Sequence, residues 1–193
     1  MTWVAPGVAE VSEPRTLRSD ARRNRERILH IAREIVIHEG SDVGMDVIAK
    51  AVGVGVGTLY RHFPTKQALM EQILGSLLAE RIQAFEQAMQ IEDPADSLKY
   101  AIERAAQITV TEMGIAAVYD GTQMKDACPQ LQVELKAITE RFVARIQRAG
   151  KLCRAIDASE FAALLCGMTR SILAGANADR AAQVLYDGLR QQI

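Results

Sequence analysis

The sequence predicts an all-α protein, and three features of its composition lead to that fold class. Hydrophobic residues make up 49% of the 193 residues, whereas aromatic residues make up only 5%. The remainder is rich in good helix formers such as Ala, Leu, Glu, Arg and Gln, as expected for packed helices. Strand-like alternation is nearly absent, since its one candidate, Val52–Val56, is interrupted by two glycines.

The N-terminal part begins with a predicted tail and continues as a long helix. Residues 1–18 contain two prolines and a glycine and show no periodicity, so we expect a mobile tail. A helix is expected from Ser19, which together with Asp20 offers an N-cap, to Gly40. Its first turns carry four arginines, whose positive charge opposes the helix dipole and calls for an external anion: Arg22, Arg23, Arg25 and Arg27.

Two short helices joined by a tight turn are expected next. The first covers Met45–Val52 and the second covers about Val56–Phe63. Gly53 stands where a left-handed residue would turn the chain, and Pro64 ends the second helix. Residues 19–66 are therefore predicted to form a helix-turn-helix domain, the second helix of which enters the major groove of DNA.

The second short helix carries residues suited to contact with DNA. Gly55 and Gly57 lie near its start, where the absence of side chains lets the backbone approach DNA closely. Leu59 and Phe63, four residues apart, are predicted to pin the helix to the preceding one. Three side chains supply donors suited to phosphate oxygens: Tyr60, His62 and Lys66.

Residues 67–193 are predicted to form a second, helical domain. Its apolar periodicity predicts helices at Lys66–Gln90, from Pro94 to about Met113, between Gly114 and Gly121, from Pro129 to Gly150, and at about 157–173 and 178–191. The helix at 157–173 is apolar nearly all round, so a partner subunit is expected to cover its second side. With the last helix it is predicted to form a four-helix dimer interface through Leu164, Leu165, Met168, Ile172, Val184, Leu185 and Leu189.

The charge distribution separates these two parts. The net charge is only −1, but residues 15–66 hold ten Lys or Arg against six Asp or Glu. A basic N-terminal part attached to a mildly acidic remainder is typical of proteins in which one part binds a polyanion.

Several other classes of protein are disfavoured. The three cysteines have no CxxC spacing, which argues against a disulfide framework and a zinc site. No P-loop, HExxH, GxGxxG or nucleophile-elbow motif is present, so neither an enzyme nor a bound cofactor or metal is predicted. Without a signal peptide or an apolar run long enough to span a bilayer, we expect a cytoplasmic protein with no membrane association.

A specific pattern extends over residues 48–69: I-A-x-x-V-G-V-G-x-G-T-L-Y-x-H-F-x-x-K-x-x-L. It resembles the DNA-binding domain of the TetR family of bacterial transcriptional regulators. The resemblance implies a homodimer, more often repressor than activator, which binds a near-palindromic double-stranded operator and is released by a small molecule held in the C-terminal domain. By matching position it implies DNA contacts at Thr58, Tyr60, His62 and Lys66, with Gly55, Val56 and Gly57 against the bases.

Two positions depart from the family pattern. Gly44 and Gly55 stand where many members have a Ser or Thr that caps the first or the second short helix. Glycine is a tolerable cap, so the fold is expected to survive, although fewer side chains remain for base contacts. The arginine cluster at Arg22–Arg27, of which Arg22 and Arg23 are the candidate DNA contacts, fits two interpretations equally well: a solvated helix face, or an arm that reaches the DNA backbone or minor groove.

An unknown effector is expected inside the second domain. The candidate lining residues are Phe85, Met89, Tyr100, Arg104, Met113, Tyr119, Met124 and Phe142, most of which would also suit a plain core. Methionines adapt to ligand-filled cavities. Arg104 is suited either to a ligand carboxylate or to the surface.

Two other functions stay open at this point. One is an architectural protein that binds DNA with little sequence preference, which a specificity ratio near one would indicate. The other is a helical enzyme or ligand carrier with a vestigial helix-turn-helix, which would lack salt-sensitive DNA binding.

Overall fold

The computed structural model describes residues 15–40, 42–111 and 128–190, and within these ranges the chain forms helices and no strand. The helices are α1 (Arg15–Glu39), α2 (Met45–Val52), α3 (Val56–His62), α4 (Lys66–Gln90), α5 (Pro94–Thr111), α6 (Pro129–Arg148), α7 (Ala158–Leu173) and α8 (Ala178–Leu189). The all-α prediction is confirmed. The short helix predicted between Gly114 and Gly121 lies outside the described residues.

The start of α1 differs from the prediction. The helix begins at Arg15, so an N-cap at Ser19 or Asp20 is wrong. Residues 15–18 contain neither glycine nor proline, and nothing in them stops a helix. The arginines from Arg22 onward consequently lie beyond the first turn, where the helix dipole has little effect, and the dipole argument for an external anion no longer holds.

The first of two cores joins α1, α2, α3 and the beginning of α4. Its buried residues extend from Ile28 of α1 to Leu77 of α4. The turn between α2 and α3 depends on Gly53, whose φ of 77° lies in the left-handed region. A side chain would strain the backbone there, so the turn itself requires this glycine.

Helix α4 belongs to both cores. The side chain of Thr65 caps it by accepting a hydrogen bond from the backbone N–H of Ala68 at 3.0 Å. The helix then continues for 25 residues, about 37 Å at 1.5 Å per residue. Its distal turns, with Phe85 and Ala88, are buried in the second core together with α5, α6, α7 and α8.

Three phenylalanines lie at the centre of the second core. Phe85 of α4, Phe142 of α6 and Phe161 of α7 have ring centroids 5.2, 6.0 and 6.4 Å apart. These separations are typical of favourable aromatic pairs. The cluster therefore fastens the distal half of α4 to two later helices.

Arg145 of α6 holds the C-terminal end of α4. Its guanidinium donates to the hydroxyl of Ser97 at 2.9 Å and to the carbonyls of Ala88, Ile91 and Glu92. The Ser97 hydroxyl in turn donates to the Ala88 carbonyl at 2.6 Å. Carbonyls at a helix C-terminus otherwise lack partners, and a positive charge there suits the helix dipole.

Helix α7 buries only one of its faces within the chain. Phe161, Met168 and Ile172 point into the second core, whereas much of the opposite face is exposed. Met168, Ile172 and Leu189 are only 6%, 3% and 1% exposed within the chain, so they contribute to the second core and offer little surface to a partner. Leu164, Leu165, Val184 and Leu185 keep exposed or half-buried side chains, and their interface role stays a prediction.

Within the described ranges, no helix combines the length and apolar character needed to cross a bilayer.

Candidate nucleic-acid interface

Helix α3 divides into an anchored face and an outward face. Leu59 and Phe63 are buried in the first core, as the pattern predicts. Val56, Tyr60 and Arg61 are exposed. Because the anchors lie four residues apart on one side, α3 is held against α1 and α2 while its other side stays open to solvent.

The start of α3 carries no side chain on either side of Val56. Gly55 is its N-cap residue, in an extended conformation and without a side-chain cap. Gly57 follows within the first turn and is exposed. Gly44 likewise precedes α2 without a side-chain cap, so both departures from the family pattern leave the helices intact.

His62, at the end of α3, is positioned by a residue that the pattern did not reveal. The side-chain nitrogen of Asn24, on α1, lies 3.4 Å from Nε2 of His62. Arg27 donates to the oxygen of the same amide at 3.4 Å. The Asn24 amide therefore lies between Arg27 and the His62 ring and holds this ring at the end of α3.

Arg25, one of the four arginines noted in the sequence, makes a contact at this site that the sequence did not reveal. Its guanidinium carbon lies 4.9 Å from the centroid of the Phe63 ring, within the range of a cation–π contact. Arg25 therefore fixes positive charge beside α3. Neither contact is visible in the sequence, because the partners are 38 residues apart in both cases.

The remaining predicted DNA contacts lie around this surface. Arg22 is exposed and forms an ion pair with Glu26 at 3.6 Å, which offsets part of its charge, and Arg23 is exposed on the same helix. Thr58 and Lys66 are half-buried. All nine predicted residues thus lie on α1, on α3 or its N-cap, or at the first residue of α4.

The part of the chain that the structure describes contains no cluster of three His, Cys, Asp or Glu side chains that could hold a metal ion. Cys128, which precedes α6, donates a hydrogen bond to the carbonyl of Glu71 on α4 at 3.4 Å. Burial, reinforced by the Glu71 charge, raises the pKa of the Cys128 thiol. It therefore stays protonated at neutral pH and is unsuited to nucleophilic chemistry.

Of the predicted effector residues that the structure describes, four belong to the second core or pack against it: Phe85, Met89, Tyr100 and Phe142. Phe85 and Phe142 belong to the central ring cluster. The Tyr100 hydroxyl donates to the side chain of Gln87 at 2.6 Å, and Arg104 is half-buried on α5. Met113, Tyr119 and Met124 lie outside the described residues.

Met89 lines an open groove of about 490 Å³ between α4 and α6, and it is the one candidate among the described residues that does so. The other lining residues of the groove are Gln83, Glu86, Gln87, Gln90, Ile138 and Arg141. Sequence reasoning missed all six, since surface glutamines on a helix carry no signal of a groove.

Comparison with known proteins agrees with this arrangement. Residues 28–73, from α1 into α4, match the family described as bacterial regulatory proteins, tetR family. The crystal structure of a TetR transcription regulatory protein from Mycobacterium vanbaalenii is 31% identical, with a TM-score of 0.68, and the match covers 90% of this chain and 99% of that one. The chain belongs to the TetR family. Members of this family are DNA-binding transcriptional regulators, not enzymes.

Two further relatives extend the comparison. A TetR transcriptional regulator from Streptomyces coelicolor is 25% identical, with a TM-score of 0.64, over 88% of this chain and 99% of that one. An HTH-type transcriptional regulator of Staphylococcus aureus is 44% identical over 59 residues. That match spans only 32% of the curated relative's length and 30% of this TetR-family chain.

Proposed function

We propose that this TetR-family protein is a repressor that binds a near-palindromic DNA operator as a homodimer in the bacterial cytoplasm and is released by a small-molecule effector. The observation that carries the proposal is the outward face of α3, held by buried Leu59 and Phe63 and bordered by the arginines of α1. In this role α3 enters the major groove, and α2 crosses the DNA backbone.

The contacts with phosphate come from side chains at the edges of α3. Tyr60 and His62 provide donors on the helix, and Lys66 provides a charge at the start of α4. These contacts set the position of the protein on the duplex, whereas Gly55, Val56 and Gly57 approach the bases. Arg22 and Arg23 add positive charge near the backbone.

The outer faces of α7 and α8 support the homodimer. Leu164 and Val184 are exposed there, and the neighbouring Ala162, Ala163 and Gly167 are small enough for helices of two subunits to approach closely. An isologous interface of this kind makes a two-fold dimer, whose symmetry matches a near-palindromic operator.

Helix α4 is the connection between effector and DNA. It begins at Lys66 beside α3 and ends under the Arg145 clamp. The ion pair between Arg33 of α1 and Glu80 of α4, at 2.6 Å, fastens the helix-turn-helix to the middle of this rod. The two α3 helices of the dimer must match a half-site spacing of about 34–36 Å in the DNA. An effector that binds better when α4 is displaced favours a different distance between them. It therefore weakens DNA binding by the ratio of its affinities for the displaced and the DNA-binding states.

Selection of bound duplexes from a random-sequence library tests the core of the proposal. A repressor of this kind enriches a near-palindromic sequence that it binds at least about a thousandfold more tightly than random DNA. A specificity ratio near one would instead indicate an architectural protein. Absence of salt-sensitive binding would indicate a vestigial helix-turn-helix.

The effector side is tested with compounds that raise the thermal midpoint of the purified protein. At least one such compound should release the enriched duplex. Met89→Ala should alter this release while changing ligand-free affinity by less than about threefold. Val133→Ala, an exposed valine elsewhere on α6, is the control and should leave release unchanged. Failure of every stabilising compound to affect DNA binding would exclude the effector mechanism.

A further inference from the structure

The fold of this protein does not require glycine at positions 55 and 57. Gly55 has a φ of −67°, which any residue adopts. A Cβ atom at Gly55 would meet only the Thr58 hydroxyl, at 3.9 Å, and one at Gly57 would meet nothing within 4 Å. Gly57 lies inside the helix, where glycine is destabilising relative to alanine, so the fold supplies no reason for it. Gly55 is the N-cap residue, a position at which glycine is tolerated but not required.

Val56 stands between these glycines as an apolar side chain that is 41% exposed. Tyr60 follows four residues later and lies on the same side of α3, since four residues make slightly more than one helical turn. With bare backbone on either side of Val56, α3 can approach a surface closely enough for this short side chain to reach it.

We propose that Val56 determines operator specificity by contacting the C5-methyl group of a thymine in the major groove. The inference rests on the proposed operator binding, in which the first residues of a recognition helix meet base edges. A valine offers neither donor nor acceptor. The thymine methyl group is the prominent apolar feature that base pairs present in that groove, and it distinguishes thymine from the other three bases.

The residues around Val56 offer few other ways to recognise a base, so the methyl contact matters more for specificity. Residues 53–60 contain no Arg, Lys, Asn or Gln, which are the side chains that make bidentate hydrogen bonds to guanine or adenine. Arg61 is exposed but lies five residues beyond Val56, about 140° around the helix. Recognition at the position of Val56 therefore depends on shape and a methyl contact.

Replacement of thymine by deoxyuridine, which removes only the C5-methyl group, tests the proposal without altering the protein. Duplexes enriched by the wild-type protein are resynthesised with each thymine replaced singly. One thymine position in each half-site should show about fourfold weaker binding, the effect of losing one buried methyl group. Other thymines should show no comparable loss.

Val56→Ala identifies the side chain that senses this methyl group. The variant should bind the thymine duplex about as weakly as the wild type binds its deoxyuridine counterpart, and it should lose little more on removal of the methyl group. Val133→Ala should keep the wild-type methyl dependence. Comparable thermal midpoints show that all three proteins are folded.

Two outcomes overturn the inference alone: an enriched operator without any methyl-dependent position, or a methyl dependence that Val56→Ala leaves undiminished. Failure to enrich any sequence would contradict the proposed function itself, and the inference would fall with it.

Discussion

The outer face of α3 and the outer faces of α7 and α8 look alike in one respect and differ in another. Each exposes apolar side chains among small residues, and Val56 of α3 and Leu164 of α7 are both 41% exposed. The surroundings differ, because α3 lies beside the arginines of α1, while the residues next to Leu164 in the sequence, 162–167, carry no charge.

This difference indicates what each face binds. An isolated apolar group within a basic surface suits a polyanion whose grooves contain a few methyl groups. A patch of small, uncharged and apolar residues such as 162–167 suits another protein surface, since interface cores are depleted in charged residues. Exposure alone does not distinguish the two faces, and neither do glycines, since a Cβ atom at Gly167 of α7 would also meet nothing within 4 Å. The local charge does distinguish them.

The largest expected effect separates the two sides of α7. Met168→Ala, on the inner side, should destabilise the protein by about 2–5 kcal/mol, because it leaves a cavity in the second core. Urea unfolding measures the loss. A change of less than about 0.5 kcal/mol would mean that this side of α7 is not packed as described.

Leu164→Glu, on the outer side, should act on association instead. A charge placed in an apolar interface without a partner costs several kcal/mol, so the dimer dissociation constant should rise by about a hundredfold or more. Sedimentation measures this, and operator affinity should fall with it. A variant that remains fully dimeric would place the interface on another surface.

Lys66→Ala tests whether the charge beside the α3 surface contacts a DNA phosphate. Loss of one phosphate contact should weaken binding to operator and random duplexes alike, by roughly tenfold. The slope of log affinity against log salt should fall by about one. Lys136→Ala on α6 is the matched control and should change neither quantity. Loss of binding confined to one base position would contradict a phosphate contact.

The smallest effect concerns the glycines. Gly57→Ala should stabilise the free protein by about 0.5–1 kcal/mol, because the added methyl group has open space and favours the helix, yet it should weaken operator binding. Gly53→Ala should instead destabilise the protein, since its φ of 77° is left-handed. Thermal unfolding and duplex titration measure both changes. If Gly57→Ala bound the operator unchanged, close approach at this position would be excluded.

The helix-turn-helix could be predicted almost entirely from the sequence. The bounds of α2 and α4 agree with their predicted residues, and α3 ends one residue earlier than predicted. The signals were local in each case: Gly53 just past α2, Pro64 after α3 and Thr65 before α4. A turn that needs a left-handed residue, or a helix end that needs a cap, depends on a few adjacent residues and not on the rest of the fold.

Only the tertiary structure decided which side of an apolar helix faces inward and which distant side chains meet. The sequence marks α7 as apolar nearly all round, and packing against Phe85 and Phe142 then turns Phe161, Met168 and Ile172 inward. The contact of Asn24 with His62 and the Arg145 clamp on α4 join residues about 40 to 60 positions apart. Such contacts depend on how whole helices pack, and helical periodicity describes a face without naming its partner.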